Sequence, residues 1–145
     1  MTQLPPYILE PGCGVNGAGD ATKAGVISTG GMFTCIESRT SGGAPRHVHT
    51  REDEYFYVVE GTLTVTVGDE ISLVEKGGFV FLPRNIPHEW DVVGDEATVL
   101  LMTVPAMLDT FLTEYHAAFS GGAEARKRVL NNTGSRSCKT RTKSP

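Results

Sequence analysis

Short apolar or alternating stretches recur between residues 24 and 105, and turn residues separate them. The stretches are rich in Val, Thr, Phe and Tyr, a composition typical of strands in an antiparallel sandwich or barrel. No long helical period interrupts them, which argues against a βαβ fold. The predicted strands cover residues 24–29, 32–38, 47–49, 54–61, 62–68, 70–77, 78–84, 88–94 and 97–105.

Tight turns are predicted where glycine follows a strand. Gly61 and Gly68 can supply the positive φ that such turns require. After Pro105 the apolar period becomes helical, which predicts a helix packed against the outside of the barrel. Gly121 and Gly122 would end this helix, and a short second helix can follow before residue 130. The apolar stripe of the predicted helix contains Leu108, Phe111, Leu112, Tyr115 and Phe119.

The chain of 145 residues suits one domain with a sizeable core. Residues 1–23 are interpreted as an N-terminal arm, 24–105 as the β-barrel, 106–130 as a helical segment and 131–145 as a disordered basic tail. The tail has four basic and no acidic residues, which leaves a net charge of −8 on the remainder. Because the remainder of the chain is acidic, a nucleic-acid partner is not expected. The tail could still make weak electrostatic contacts with an anionic partner.

The three cysteines, at positions 13, 35 and 138, have no spacing typical of a metal site. An odd, scattered count favours reduced thiols in a cytoplasmic protein over a disulfide framework. No apolar run reaches the roughly 18 residues of a membrane span, and the N-terminus does not resemble a signal peptide. We therefore expect a cytoplasmic protein with no membrane contact.

Three histidines and one acid form the candidate chemical site. His47 and His49 are one residue apart, so in an extended chain they face the same side. Glu54 opens the next predicted strand, and His88 follows a proline-containing turn. We expect these four side chains to converge inside the barrel. Three imidazoles and a carboxylate suit one divalent ion of Fe, Ni, Mn, Cu, Co or Zn, with coordination positions left open.

The spacing of these residues resembles the two motifs of the cupin superfamily over most of residues 24–104. The resemblance implies an all-β cupin jelly-roll barrel, here with a short C-terminal helical extension, and a metal held by the four side chains above. The chain departs from the second motif at Asn85 and Val92, where the family has Gly and Asn, and these positions concern the turn more than the ligands. The matching positions are His47, His49, Glu54 and Gly61 in the first motif and Gly77, Pro83 and His88 in the second.

Other ionisable residues near the motifs are not assigned to the metal. Glu52 and Asp53 are interpreted as solvated acids of the turn between two strands. Glu89 is out of phase with His88 and should point away from the site. His116 is interpreted as a packed or half-exposed residue of the C-terminal helix.

Alternation from the ligands predicts a mostly apolar lining. Phe56 and Val58 share a face with Glu54, and Trp90 shares one with His88. These side chains either contact a substrate or simply fill the core. A cavity of this kind would suit a flat, hydrophobic, oxygen-bearing small molecule. The predicted substrate contacts are Phe56, Val58, Trp90 and Phe81, with further lining from Phe33 or Met32, Phe79 or Phe81, and Leu100 or Leu101.

Three functional classes remain open. The first, implied by a resemblance to quercetinase-like cupins, is a metal-dependent dioxygenase in which Glu54 acts as the catalytic base. The second is a redox-neutral enzyme whose metal acts as a Lewis acid, such as a polyketide cyclase or an isomerase. The third is a cupin that binds a small molecule without turnover. By analogy with the family we also expect a homodimer.

Overall fold

The computed structural model describes residues 2–110, and most of these residues form antiparallel strands. The predicted all-β jelly-roll class is confirmed. The elements in chain order are β1 (Cys13–Gly14), β2 (Gly17–Ala18), β3 (Thr22–Ala24), α1 (Val26–Thr29), β4 (Thr34–Thr40), β5 (Ala44–His47), β6 (Asp53–Val67), β7 (Glu70–Glu75), β8 (Phe79–Leu82) and β9 (His88–Val104).

The strands β3 to β9 are hydrogen-bonded into one seven-stranded sheet, whose two long strands, β6 and β9, pair with each other along most of their length. This sheet folds into two layers, called two sheets below, and β6 and β9 run through both. In one sheet the N-terminal half of β6 and the C-terminal half of β9 are flanked by β8 on one side and by β4 and β3 on the other. In the second sheet the remaining halves are flanked by β7 and β5. The interior lies between these two sheets, as in a jelly roll.

The bend between the two sheets depends on a glycine. The pairing of β6 with β9 shifts register between Val58 and Thr62, and Gly61 has a φ of 87° there. A Cβ atom at Gly61 would lie 2.9 Å from Cα of Ala97, so both the backbone conformation and the close approach require glycine. Even-numbered residues of β6 are buried before the bend, and odd-numbered ones after it. The irregularity therefore keeps the apolar side chains of both halves in the interior.

The core occupies the space between the two sheets. Phe56 and Trp90 lie at its centre, with ring centroids 5.3 Å apart and ring planes at 66°. Because Phe56 follows Glu54 at a spacing of two, the core continues directly into the face that carries the candidate ligands. The buried apolar cluster consists of Phe56, Val58, Leu63, Val65, Val80, Leu82, Trp90, Ala97 and Val99.

Several predicted strand boundaries are wrong. The predicted strands 54–61 and 62–68 are joined in the single strand β6, which spans Asp53–Val67. Those at 88–94 and 97–105 fall in β9, which ends at Val104. A strand over 24–29 is not found either, because β3 ends at Ala24 and α1 follows. Gly25 precedes α1 and Gly30, with a φ of 64°, ends it. Of the two predicted glycine turns, the one at Gly68 is present, between β6 and β7.

The ends of the described chain differ in part from the predicted segments. Residues 1–23, interpreted as an arm, contain the hairpin β1–β2, and the first two residues of β3 also belong to the main sheet. Residues 108–110 are helical. The carboxylate of Asp109 accepts hydrogen bonds from the backbone N–H of Val26 and the hydroxyl of Thr34, both at 2.9 Å. The rest of the predicted helical segment, including His116, and the tail 131–145 lie outside the described residues.

Two further observations concern the cysteines and the membrane. Cys13 is disulfide-bonded, so the expectation of reduced thiols is wrong for this residue. Cys35 is a free thiol, and burial raises its pKa above the ordinary value. The cysteine pattern therefore no longer supports a cytoplasmic location. Among residues 2–110, no helix has the length and apolar composition needed to cross a membrane.

Candidate metal centre

Three strands and the loop after β5 bring the predicted ligands together between the two sheets. His47 is the last residue of β5 and pairs directly with His88, the first residue of β9. His49 lies two residues beyond β5. Glu54 is the second residue of β6, in the opposite sheet. The predicted convergence of these side chains is therefore present, and each of the two sheets contributes to it.

Each imidazole has its Nδ1 atom against an acceptor. The Nδ1 atoms of His47 and His88 lie 2.6 and 3.0 Å from the backbone carbonyl oxygen two residues earlier in the chain. The Nδ1 atom of His49 lies 2.7 Å from Oε1 of Glu52. Because a carbonyl oxygen can only accept, the Nδ1 atoms of His47 and His88 carry the proton. In a neutral ring the Nε2 lone pair is then free, and a carboxylate favours the same tautomer in His49.

The three Nε2 atoms face one another and a buried carboxylate. The Nε2 atoms of His47 and His49 are 3.1 Å apart. Oε2 of Glu54 lies 3.0 Å from Nε2 of His88 and 3.3 Å from Nε2 of His49. One ligand atom from each of the four residues lies within 4.8 Å of every other. His88 is fully buried and Glu54 is 3% exposed, so little water competes for these donors.

The electrostatics of the cluster favour an ionised carboxylate. Burial opposes the ionisation of Glu54, yet its hydrogen bonds with His49 and His88 lower the carboxyl pKa below the ordinary value. The hydrogen bond to Glu54 raises the pKa of His49, and Glu52 adds to this effect. Without a metal, a proton on His49 can therefore bridge to Glu54.

The donor chemistry of the cluster fits a divalent ion. Two neutral Nε2 lone pairs at 3.1 Å repel each other unless a proton or a cation lies between them. A proton on His49 relieves the repulsion at one such contact. A cation can instead be coordinated by all three Nε2 atoms and the carboxylate oxygen at once. Three imidazole nitrogens and one carboxylate oxygen suit Fe, Mn, Ni, Co, Cu or Zn and leave positions open for a further ligand. The ion would be held by His47, His49, Glu54 and His88.

Two acids beside the site have partners that the sequence did not indicate. Glu52 is not a solvated turn residue, since its side chain is only 13% exposed and it fixes the ring of His49. Asp53 accepts hydrogen bonds from the backbone N–H and the guanidinium of Arg84 at 2.9–3.0 Å. The hydrogen bonds from Arg84 lower the pKa of Asp53 to about 2. The interpretation as a solvated residue is therefore wrong for Glu52, whereas the side chain of Asp53 stays 24% exposed in its surface ion pair with Arg84.

The predicted lining is only partly in place. Phe56, Val58 and Trp90 face the interior, as expected from their alternation with the ligands. Phe81 does not, because it is 51% exposed and stacks on Tyr55 at 5.0 Å on the outer face. Phe79, Phe33 and Met32 are also exposed. Val80 and Leu82 take the inward positions of β8, and Leu101, rather than Leu100, packs against the core.

A groove of about 470 Å³ lies apart from this cluster. It opens beside β5, and none of the four candidate ligands lines it. Glu89 is one of its lining residues, consistent with the expectation that this side chain points away from the cluster. The groove is also lined by Gly43, Ala44, Pro45, Thr64, Thr66, Trp90 and Asp91.

The fold agrees with a family comparison. Residues 36–104 match the family model described as "Cupin domain". Residues 36–104 form a cupin domain. The four candidate ligands lie within this cupin domain. A quercetin 2,3-dioxygenase of Bacillus subtilis (strain 168) is 30% identical to this chain, over 83% of the chain and 39% of that protein.

A further curated protein and a solved structure also resemble this chain. The tetracenomycin polyketide synthase protein TcmJ of Streptomyces glaucescens is 31% identical over 46% of this chain and 45% of that protein. The solved structure of KdgF from Halomonas sp. superimposes with a TM-score of 0.50, covering 55% of this chain and 74% of that chain. The two sequences are 21% identical, and a likeness at this level shows a shared fold alone. The chain spans about half or less of the length of the curated relatives it matches.

Proposed function

We propose that this cupin is a metal-dependent enzyme that acts on a hydrophobic, aromatic or polyketide-like small molecule, and that its reaction is a quercetinase-like dioxygenation. The observation that carries the metal assignment is the arrangement of the three imidazoles. Their Nδ1 atoms are bound to acceptors, and their Nε2 atoms converge with Oε2 of Glu54 within 4.8 Å. The similarity to a quercetin 2,3-dioxygenase over 83% of the chain supports the choice of reaction.

In this proposal the metal supplies Lewis acidity and, if it is redox-active, electron transfer to oxygen. The chain supplies the base and the dry surroundings. Glu54 is ionised at neutral pH, since its pKa is lowered, and it can accept the proton of a substrate hydroxyl at a carboxylate oxygen. In the metal-free protein the same carboxylate contacts His49 and His88. Phe56, Val58 and Trp90 exclude water beside Glu54 and would contact an aromatic ring.

The proposal is tested by elemental analysis of protein purified without chelators, followed by an oxygen-electrode trace with a flavonol. About one equivalent of a redox-active metal per chain with oxygen uptake is the expected result. Glu54→Gln should keep the fold and abolish uptake, because the amide cannot accept the substrate proton. A protein that contains no metal and binds none of Fe, Ni, Mn, Cu, Co and Zn when they are added would contradict the metal assignment.

The second candidate is a redox-neutral cyclase or isomerase. The similarity to a tetracenomycin polyketide synthase protein favours a polyketide-like substrate for this alternative. The same four side chains would hold the metal, which would polarise a substrate ketone. Zinc in the purified protein, no oxygen uptake and cyclisation of a polyketide substrate would select this reading over the dioxygenase.

A binding cupin without turnover is the third candidate, and a metal-loaded protein that binds flavonols without converting them would support it. The small-molecule partner is part of all three candidates. The homodimer and the cytoplasmic location remain predictions, which sedimentation and cell fractionation would test.

A further inference from the structure

A fully buried hydroxyl lies beside Glu54 without a hydrogen-bond partner. Oγ1 of Thr103 is the buried side-chain polar atom that lacks a partner among residues 2–110, and Thr103 is 0% exposed. Thr103 on β9 stands directly opposite Glu54 on β6. Directly opposite residues of an antiparallel pair project to the same face, with Cβ atoms about 5 Å apart. The hydroxyl of Thr103 therefore faces the interior beside the carboxylate.

The neighbouring threonine shows what is unusual about this hydroxyl. Thr34 on β4 pairs with Thr103 from the other side and is equally buried. Its hydroxyl is committed, because it donates to Asp109 at 2.9 Å. A buried hydroxyl without a partner is unfavourable, and valine would fill the same volume without that cost. The hydroxyl of Thr103 therefore points to a partner in another state of the site.

Glu54 is the acceptor whose partners would change if a cation bound to the imidazoles. Its Oε2 atom contacts the Nε2 atoms of both His49 and His88, and no described residue donates to its Oε1 atom. When these imidazoles give their lone pairs to a cation, their hydrogen bonds to Glu54 end. A carboxylate that binds a metal through one oxygen can still accept a hydrogen bond at the other, and such outer partners fix its orientation.

We propose that Thr103 is a positioning residue for the metal centre: its hydroxyl donates to the carboxylate oxygen of Glu54 that does not face the cation. A change of side-chain rotamer at Glu54 brings the two groups together without any shift of the strands. The hydrogen bond forms in the metal-loaded protein and holds the carboxylate toward the ion. This inference rests on the proposed metal site.

The test compares the removal of two equally buried hydroxyls. Chelator-treated wild type, Thr103→Val, Thr103→Ser and the control Thr34→Val are titrated with Co²⁺ by calorimetry, and the visible spectrum of the bound ion is recorded. We expect Thr103→Val to weaken Co²⁺ binding about tenfold and to alter the spectrum, whereas Thr103→Ser stays within about threefold of wild type. The metal-free melting temperature of Thr103→Val should be unchanged or higher, since no hydrogen bond is lost.

The control should behave in the opposite way. Thr34→Val breaks a hydrogen bond that exists without metal, so its metal-free melting temperature should fall while Co²⁺ affinity is kept. If Thr103→Val binds Co²⁺ within about twofold of wild type, the role of Thr103 is refuted and the metal site stands. If wild type binds no Co²⁺, the proposed function and this inference both fail. Thr103→Ala provides the same comparison if the valine variant does not fold.

Discussion

Removal of the Glu52 carboxylate should weaken metal binding without disturbing the barrel. Oε1 of Glu52 lies 2.7 Å from Nδ1 of His49, and the two side chains are 13% and 14% exposed, so solvent screens the contact only partly. A hydrogen bond to a charged group contributes about 1.5–3 kcal/mol. The contact also exists without metal, so only part of this free energy appears as lost affinity. We therefore expect Glu52→Ala to weaken metal binding about tenfold, the lower end of the range for outer partners of metal ligands.

A conservative substitution separates orientation from charge. The amide oxygen of Glu52→Gln can still accept from Nδ1 of His49, so the loss should be only about threefold. Glu89→Gln is the matched control, because Glu89 adjoins His88 in sequence but faces the other side of the sheet. It should bind like wild type. Calorimetric titration with Co²⁺ measures all three, and a Glu52→Ala affinity equal to that of wild type would refute the positioning role of Glu52.

Three further predictions concern the ligands and the bend. His88→Ala should keep the circular-dichroism spectrum of the barrel but lose most of the metal and all turnover; stoichiometric metal in this variant, measured by elemental analysis, would overturn the assignment of His88. Gly61→Ala should lower the free energy of unfolding by about 2–3 kcal/mol, because an alanine there combines a positive φ with a clash against Ala97, and a urea titration that shows no change would contradict this account of the bend. The metal-free protein should gain most from the His49–Glu54 pair between about pH 4.5 and 6.5. The raised pKa of His49 contributes stability that is lost as pH rises through that pKa, above 6.5, and the lowered pKa of Glu54 contributes stability that is lost as pH falls through that pKa, below 4.5. Melting temperatures of the metal-free wild type and of His49→Phe across pH 4–9 test this, and an unchanged pH profile in the variant would contradict it.

The all-β pattern and the side that neighbouring residues of one strand share could be read from the chain, because both follow from local geometry. Alternation places His47 with His49, and Phe56 with Glu54, whichever strands lie beside them. The inward positions of β8 could not be read in this way. Phe79 to Leu82 is a continuous apolar run, so either phase is compatible with the sequence, and pairing with β6 decided that Phe81 lies outside.

Whether the predicted strands on either side of Gly61 are separate or continuous also depended on the rest of the fold. A glycine after an alternating run is compatible with a tight turn or with an irregularity inside one strand. Gly61 takes the second role because β9 continues alongside it, so that the two halves of β6 remain paired with a single neighbour across the bend. The sequence shows that glycine is needed there but not which of the two structures it serves.

The sequence by itself determined which residue types stand ready to bind a metal and on which side of each strand they lie. Only the tertiary structure decided their partners. Glu52 lies within hydrogen-bond distance of His49 because of the path of the loop between β5 and β6. Thr103 faces Glu54 because two strands separated by a long stretch of chain pair in one register. Side-chain alternation is a local property of an extended chain, whereas hydrogen bonds between distant residues exist only once the sheets have assembled.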